Sequence, residues 1–268
     1  MPNLPQRVLD NGPWSISKIG VIEKCSKAFD YKYGPNKIKE VDTREESRVG
    51  VAVHKALELV LADNDQKMSF LMATDEGELT TDEIDQVQAF WDQVTRFKKR
   101  MDNWKRGNGV LPQNVFLERK WGLSVDFKKT EFFGNGVFFR GVVDYGLRTA
   151  KNDMVIIDHK SGGQKPLKYY ENQFKGYALL ALARYPDIEG VQTAINFIAD
   201  DVLEWGGYVT AEVIRNEYQP WLLDHLIKST VGLDSPPKPL KNWSCNWCGY
   251  RSLCPLFGGA TRGAEEAR

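Results

Sequence analysis

Between Ser47 and Ala62 the apolar residues Val49, Val53, Ala56, Leu57, Val60 and Leu61 recur at three- and four-residue spacing, which puts them on one side of an α-helix. Thr81 with Asp82 supplies an N-terminal start signal, and the pattern beyond it predicts a second helix running toward Trp104. From Val115 to Lys160 the pattern changes to β-branched and aromatic runs broken by turn residues, among them the hairpin dipeptide Asn135-Gly136, and predicts a meander of three strands. Glu171 to Tyr185 reads as a helix, Val191 to Ile198 alternates like a strand, and Ala211 to Ser229 is helical around Pro220. The order is therefore helices, strands, helix, strand, helix, an α/β pattern without internal repeats. Pro236-Pro237-Lys238-Pro239 sets off a small cysteine-bearing end, and Gly258 to Arg268 reads as a flexible tail.

Composition narrows the class. A chain of 268 residues with 42% apolar and 12% aromatic content can bury a sizeable core, as one large domain or a core with an appendage. No apolar stretch approaches the roughly 18 residues that a spanning helix needs, so no membrane span is expected. Met1 to Asp10 lacks the apolar core of a secretory signal, and four cysteines are too few for a disulfide scaffold, so the cytoplasm is the expected location. The 36 basic and 36 acidic side chains cancel, so any nucleic-acid binding must come from local patches. One such segregation runs along the second helical region. Asp75, Glu76, Glu78, Asp82, Glu83, Asp85 and Asp92 precede a basic run from Arg96 to Arg106. Two solvated helix faces are the plainer reading of it, and a phosphate-binding stripe the sharper one.

The most informative stretch is Gly141-Val-Val-Asp144 followed by Val155-Ile-Ile-Asp158-His-Lys160-Ser-Gly-Gly. If the two strands form a hairpin centred on Lys151, residues equidistant from it face each other, and Asp144 opposes Asp158. Carboxylates about 5 Å apart at an effective dielectric near 20 repel by about 3 kcal/mol. A hard divalent cation offsets that repulsion, because Mg²⁺ takes oxygen ligands from one or two carboxylates together with water and phosphate. The two-residue strand period puts Lys160 on the face of Asp158, so two acids and a lysine converge. That set fits hydrolysis of a phosphodiester, with Lys160 orienting the attacking water or stabilising developing charge. Gly162, Gly163, Lys165 and Lys168 add a flexible cationic loop suited to a backbone phosphate. Gly50 lies one helical turn before His54 on the same face, where it lets the helix approach a strand and where an imidazole can serve as a metal ligand. Gln173 and Tyr177, also one turn apart, present an amide and a phenol from one helix face.

The cysteines fall at the two ends: Cys25, then Cys245, Cys248 and Cys254, the last followed by Pro255. Clustered thiols in a chain expected to be cytosolic read as a metal site, and four of them can hold structural Zn²⁺ or an iron–sulfur cluster. Trp243, Trp247 and Tyr250 are placed to shield such a centre, and a ligand set joining both termini would act as a clasp.

Taken together, these residues resemble the RecB-like branch of the PD-(D/E)xK nucleases, and in particular its iron–sulfur members: the CRISPR-associated exonucleases, the AddB nuclease domain and their phage relatives. The resemblance runs from Ser17 to Pro255 and lies in the ordered set. It implies a restriction-endonuclease-like core, with a central mixed sheet flanked by helices, spanning 47–235 with a helical insertion at about 64–110. An N-terminal segment (1–46) would give one cluster cysteine, a knuckle (236–257) the other three, and 258–268 a flexible tail. The family implies a Mg²⁺- or Mn²⁺-dependent deoxyribonuclease, an exonuclease on single-stranded DNA or duplex ends, serving phage recombination, repair or CRISPR adaptation with the proteins of those processes. It further implies metal ligation by His54, Asp144, Asp158 and the His159 carbonyl, and assistance of the water by Lys160. Gln173 and Tyr177 would position the strand, and Cys25, Cys245, Cys248 and Cys254 would hold a 4Fe-4S cluster. Glu118 lies near a further family acid and is a possible accessory residue. Valine, not proline, precedes Asp144, and no G-x-x-x-x-G-K-[ST] loop is present to supply a motor. The intact Asp144, Asp158 and Lys160 weigh against a non-catalytic nucleic-acid-binding module. A third reading is an adaptor that recruits proteins through the acidic helix.

Overall fold

Three short helices open the chain: α1 (Gln6–Asp10), α2 (Ile16–Lys24) and α3 (Ser26–Tyr33). The Ser15 side chain caps the second by accepting from the Lys18 amide. The computed structural model describes residues 4–41, 45–75 and 79–259, with the backbone alone for 45–47. Glu76 and Glu78 of the acidic run, and 260–268 of the expected tail, lie outside the described residues. Met1–Arg44 and Trp221–Arg268 cluster as one compact unit, and Glu45–Pro220 as another.

The larger unit begins with α4 (Glu45–Leu61), α5 (Gln66–Asp75), α6 (Thr81–Ala89) and α7 (Trp91–Gly107). The helix expected from Thr81 toward Trp104 is thus two helices, parted at Phe90, where both Phe90 and Trp91 pack onto the core. Thr80 and Glu83 close a capping box at the start of α6. Five strands of useful length and one short one follow: β1 (Val115–Leu123), β2 (Lys129–Thr130), β3 (Phe139–Arg148), β4 (Met154–Lys160), β5 (Gly190–Phe197) and β6 (Val202–Thr210), with α8 (Glu171–Arg184) between β4 and β5. They form one sheet in the order β2-β1-β3-β4-β5-β6, in which β4 and β5 are parallel and every other pair is antiparallel. The fold is therefore the mixed sheet flanked by helices that the resemblance implies, built from the order of helices and strands that the pattern predicts. Asn135-Gly136 sits on a turn with Gly136 at φ +80°, inside the longer return from β2 to β3, not in a two-residue hairpin.

Burial explains the layering. The apolar stripe of α4 (Val49, Val53, Leu57, Val60) meets Val94, Phe97 and Met101 of α7 and the side chains of Tyr145, Leu147, Val155 and Ile157 from the sheet. Complete burial of a Leu or Val side chain contributes about 1.5–3 kcal/mol. Residues Met154 to Ile157 are buried without alternation, as a strand covered on both faces requires. Helix α8 is buried from Gly176 through Ala183 and packs on β1, β3 and β5. The basic run on α7 is largely engaged by acids: Arg96 and Arg100 pair with Asp201, Lys98 with Asp63 and Asp102, and Lys105 with Asp102. That pairing favours the solvated-face reading over a phosphate-binding stripe.

After α9 (Ala211–Val213) the chain makes one π-helical turn, Ile214–Tyr218, and continues as α10 (Gln219–Ser229); Pro220, which has no N–H to donate back into a helix, follows directly on that turn. The smaller unit then ends in short 3₁₀ turns, Trp243–Trp247, Arg251–Leu253 and Pro255–Phe257. Among the described residues no helix is long and apolar enough to cross a membrane.

Candidate active site and cysteine cavity

The β3–β4 ladder pairs Leu147 with Val155, Gly146 with Ile156 and Tyr145 with Ile157, the register of a hairpin centred on Lys151. Asp144 and Asp158 come next, and there the regular pairing stops. The Asp144 carboxylate replaces the lost backbone partner: its Oδ2 accepts from the His159 amide at 2.9 Å. On the other flank, β1 pairs Leu117 with Tyr145 and Arg119 with Val143, which leaves Glu118 beside Asp144 with φ +45°. A glutamate in the left-handed region costs about 1–3 kcal/mol, and such strain collects at functional sites. Glu118, Asp144 and Asp158 thus stand on three adjacent strands.

Helix α4 brings His54 to this row. Its Nδ1 lies 3.6 Å from Asp144 Oδ2. Close approach depends on Gly50, one turn earlier, where a Cβ would lie 3.0 Å from Ser161 Oγ. Ligand atoms of His54, Glu118 and Asp144 all lie within 4.8 Å of one another, a spacing that can hold a metal ion. His54 and Glu118 open onto a groove also lined by Lys55, Glu58 and Lys120.

Asp158, 2% exposed, is held from the other side. Its Oδ1 accepts from Gln173 Nε2 at 2.5 Å and from the Tyr177 hydroxyl at 2.6 Å, and Gln173 also donates to that hydroxyl at 2.8 Å. The Lys160 ammonium lies 2.5 Å from Asp158 Oδ2, although Oδ2 gains no well-aligned hydrogen bond from it. The two oxygens of Asp158 therefore serve different partners. His159, the intervening residue, turns its ring into the core, where Phe97 meets it edge-on at 5.0 Å and Asn196 Nδ2 lies 3.1 Å from Nδ1.

Electrostatics follow from crowding three acids in a partly dry place. Burial, reinforced by Glu58 and Asp158, pushes the Glu118 carboxyl up to about 7. Burial and the Asp158 charge raise Asp144 well above the usual carboxylate range. For Lys160, burial pulls downward, but the charges of Asp158 and Asp144 outweigh it and keep the group an ammonium. Burial lowers His54, leaving a neutral imidazole fit for ligation. The same cause holds His159 neutral and raises the Tyr177 phenol, which stays a donor to Asp158.

The residues expected to bind metal or to serve Asp158 meet here: His54, Glu118, Asp144, Asp158, His159, Lys160, Gln173 and Tyr177. Gly162, Gly163, Lys165 and Lys168 of the cationic loop are not part of this cluster. Glu118, expected only as an accessory, stands in the tight cluster, whereas the side chain of Asp158 is turned to Lys160, Gln173 and Tyr177. Asn196 and Lys120 were not visible as site residues beforehand; the asparagine is placed by the parallel pairing of β4 with β5, which only the sheet order reveals.

Within the smaller unit, Cys25, Cys245, Cys248 and Cys254 line one cavity of about 330 Å³ with Tyr31, Trp243, Trp247 and Tyr250. All four are free thiols of intermediate exposure. Burial raises the Cys248 thiol, and the other three cysteines add to the rise. A thiol raised by three neighbouring thiols suits a cationic centre, which relieves that repulsion.

No curated protein matches the chain. The crystal structure of SSO0001 is similar at 14% identity and a TM-score of 0.38, covering 94% of this chain and 93% of that one. A family model described as the PD-(D/E)XK nuclease superfamily matches residues 13–255. The match takes in both the carboxylate row and the cysteines, and the chain belongs to the PD-(D/E)XK nuclease superfamily.

Proposed function

We propose that this nuclease is a Mg²⁺- or Mn²⁺-dependent deoxyribonuclease that works as an exonuclease on single-stranded DNA or duplex ends. The observation that carries the metal-dependent reading is the gathering of His54, Glu118 and Asp144 beside the Lys160–Asp158 pair. Preference for DNA ends is supported by the resemblance to the RecB-like branch, as is service in phage recombination, repair or CRISPR adaptation inside the cell.

The donor set suits a hard cation: two carboxylates and a neutral imidazole, with Asp158 and the His159 carbonyl alongside. A bound divalent ion there would lower the pKa of a coordinated water and neutralise charge on the phosphoryl oxygens. Lys160 remains charged, so it is no general base; it holds the attacking water and offsets charge developing on the phosphorane. Asp158 fixes that ammonium through Oδ2. Gln173 and Tyr177 fix Asp158 through Oδ1, which makes them positioning residues.

We assign the cysteine cavity to a 4Fe-4S cluster. One ligand would come from the N-terminal stretch and three from the C-terminal one, so the cluster would staple the two chain ends within a single unit. The cysteine-proline ending at Cys254-Pro255 supports iron–sulfur over zinc.

End-labelled DNA with free 5′ or free 3′ ends tests the activity. Cleavage from an end in Mn²⁺, none in EDTA, and none by Lys160→Ala or Asp144→Ala protein that still binds DNA is the expected result. Full activity in either purified variant overturns the assignment. Iron and labile sulfide in anaerobically purified protein are expected for the cysteine site; stoichiometric zinc without visible absorption overturns that part.

A further inference from the structure

Phe133 is the most exposed large hydrophobic side chain among the described residues, at 77%. It sits in the return from β2 to β3, within the unit that carries the carboxylates, and its ring packs edge-on to Phe132 at 4.8 Å. Cations surround the pair: the Arg140 guanidinium lies 4.7 Å from the Phe132 centroid and 5.5 Å from that of Phe133, and Lys120 Nζ lies 5.9 Å from Phe133. Arg140 also donates to the Phe132 carbonyl at 3.2 Å, which holds the loop.

A lone exposed phenylalanine is ordinary on a protein surface, but a pair of rings flanked by two cations is a specific combination. Lys120 ties it to the site. It lines the same groove as His54 and Glu118. The aromatic pair thus continues the groove of the carboxylates through a shared lysine. A π-face flanked by two cations matches a nucleotide, which offers a flat base to the ring and a phosphate to the lysine and arginine.

We propose that Phe133, backed by Phe132 and Arg140, is a stacking platform for a base of single-stranded DNA, with Lys120 taking the phosphate between that base and the cleavage site. The proposal rests on the nuclease reading above and deepens it by placing the flanking nucleotide.

The test measures binding and cleavage separately. Oligonucleotides carrying 2-aminopurine are titrated against Lys160→Ala protein with and without Phe133→Ala, and kinetics are run on Phe133→Ala, Phe133→Trp and otherwise unaltered protein. Stacking should quench 2-aminopurine in the parent. Phe133→Ala should lose the quench, weaken binding roughly ten-fold and raise KM by a similar factor with far less effect on kcat. Phe133→Trp should restore both. Unchanged quenching and KM in Phe133→Ala overturn the platform while leaving the nuclease reading intact. Failure of the unaltered protein to cleave, with DNA still bound through Phe133, overturns the nuclease reading and keeps the platform. No DNA binding by any protein overturns both, and altered self-association of Phe133→Ala with unaltered DNA binding shows that a second copy covers the ring and also overturns the platform.

Discussion

Replacing Glu118 by glutamine removes one of three crowded charges at nearly constant shape. The carboxyl titrates near 7 in the folded protein against 4.5 as an ordinary glutamate, because it is partly buried and faces Glu58 and Asp158. The folded state therefore holds this proton more tightly than the unfolded chain. Between about pH 4.5 and 7, native protein carries more protons than unfolded protein, so stability falls as pH rises through that window and is flat above it. A shift of this size corresponds to about 3 kcal/mol without screening. Solvent reaches much of the side chain, and about 1–2 kcal/mol is the appropriate figure. In EDTA at pH 8, Glu118→Gln should melt a few degrees above the parent, and at pH 4.5 the two should coincide. Adding Mn²⁺ reverses the order. A ligand at 100 times its Kd stabilises by about 2.7 kcal/mol, and the parent should gain that while the variant gains far less. Thermal melts over pH 4.5–8, with and without Mn²⁺, read both effects. A variant that melts at or below the parent in EDTA at pH 8, or that keeps the whole Mn²⁺ shift, refutes the account of this site as a cation-relieved cluster.

Three further outcomes follow from the same geometry. At limiting Mn²⁺ the parent's cleavage rate should rise with pH toward about 7 as Glu118 ionises, and Glu118→Gln should flatten that rise; an identical profile in both counts against Glu118 as a ligand. His54→Ala should weaken Mn²⁺ binding measured by calorimetry by at least the roughly 10–100-fold that losing an outer partner of a metal ligand costs, while leaving the metal-free melting temperature within a few degrees. Cys248→Ser should lose visible absorption and lower the melting temperature, because the thiols come from both chain ends of one unit; an unchanged spectrum excludes the cluster.

What could be read from the sequence tracks how local each constraint is. The Asp144–Asp158 relation follows from one short loop around Lys151, and the observed ladder has that register. His54 follows from its distance to Gly50, and the Gln173–Tyr177 pair from helical spacing. Glu118 was harder to weigh, since a long excursion through β2 separates β1 from β3 and a local irregularity at φ +45° interrupts their pairing. Strand β6 escaped because Gly206 and Gly207 break its pattern; Gly206 is needed where a Cβ would lie 2.7 Å from Thr193 Oγ1. Helix α5 inverts the usual rule, burying Ser69 and Thr74 while exposing Met68, Leu71 and Met72, so no amphipathic period marks it.

The division of labour on Asp158 yields a last prediction. Tyr177 and Gln173 both donate to Oδ1, yet they differ in surroundings: the phenol is 7% exposed, and the amide is half-buried. Water can replace the amide of Gln173 but cannot easily reach the place of the phenol. A hydrogen bond to a charged group contributes about 1.5–3 kcal/mol, and its loss from a dry site is felt in full. Tyr177→Phe should therefore lower kcat by roughly ten-fold or more, with KM for DNA little changed, and Gln173→Ala should cost less. The mechanism is loss of aim. With one of its two donors gone, Oδ1 is held less firmly, and Lys160 has a less fixed partner at Oδ2. The measurement is steady-state cleavage by both variants, with the Lys160 ammonium followed by NMR. A Gln173→Ala protein more impaired than Tyr177→Phe, or a Tyr177→Phe defect confined to KM, means that these side chains touch the DNA and do not merely steady Asp158.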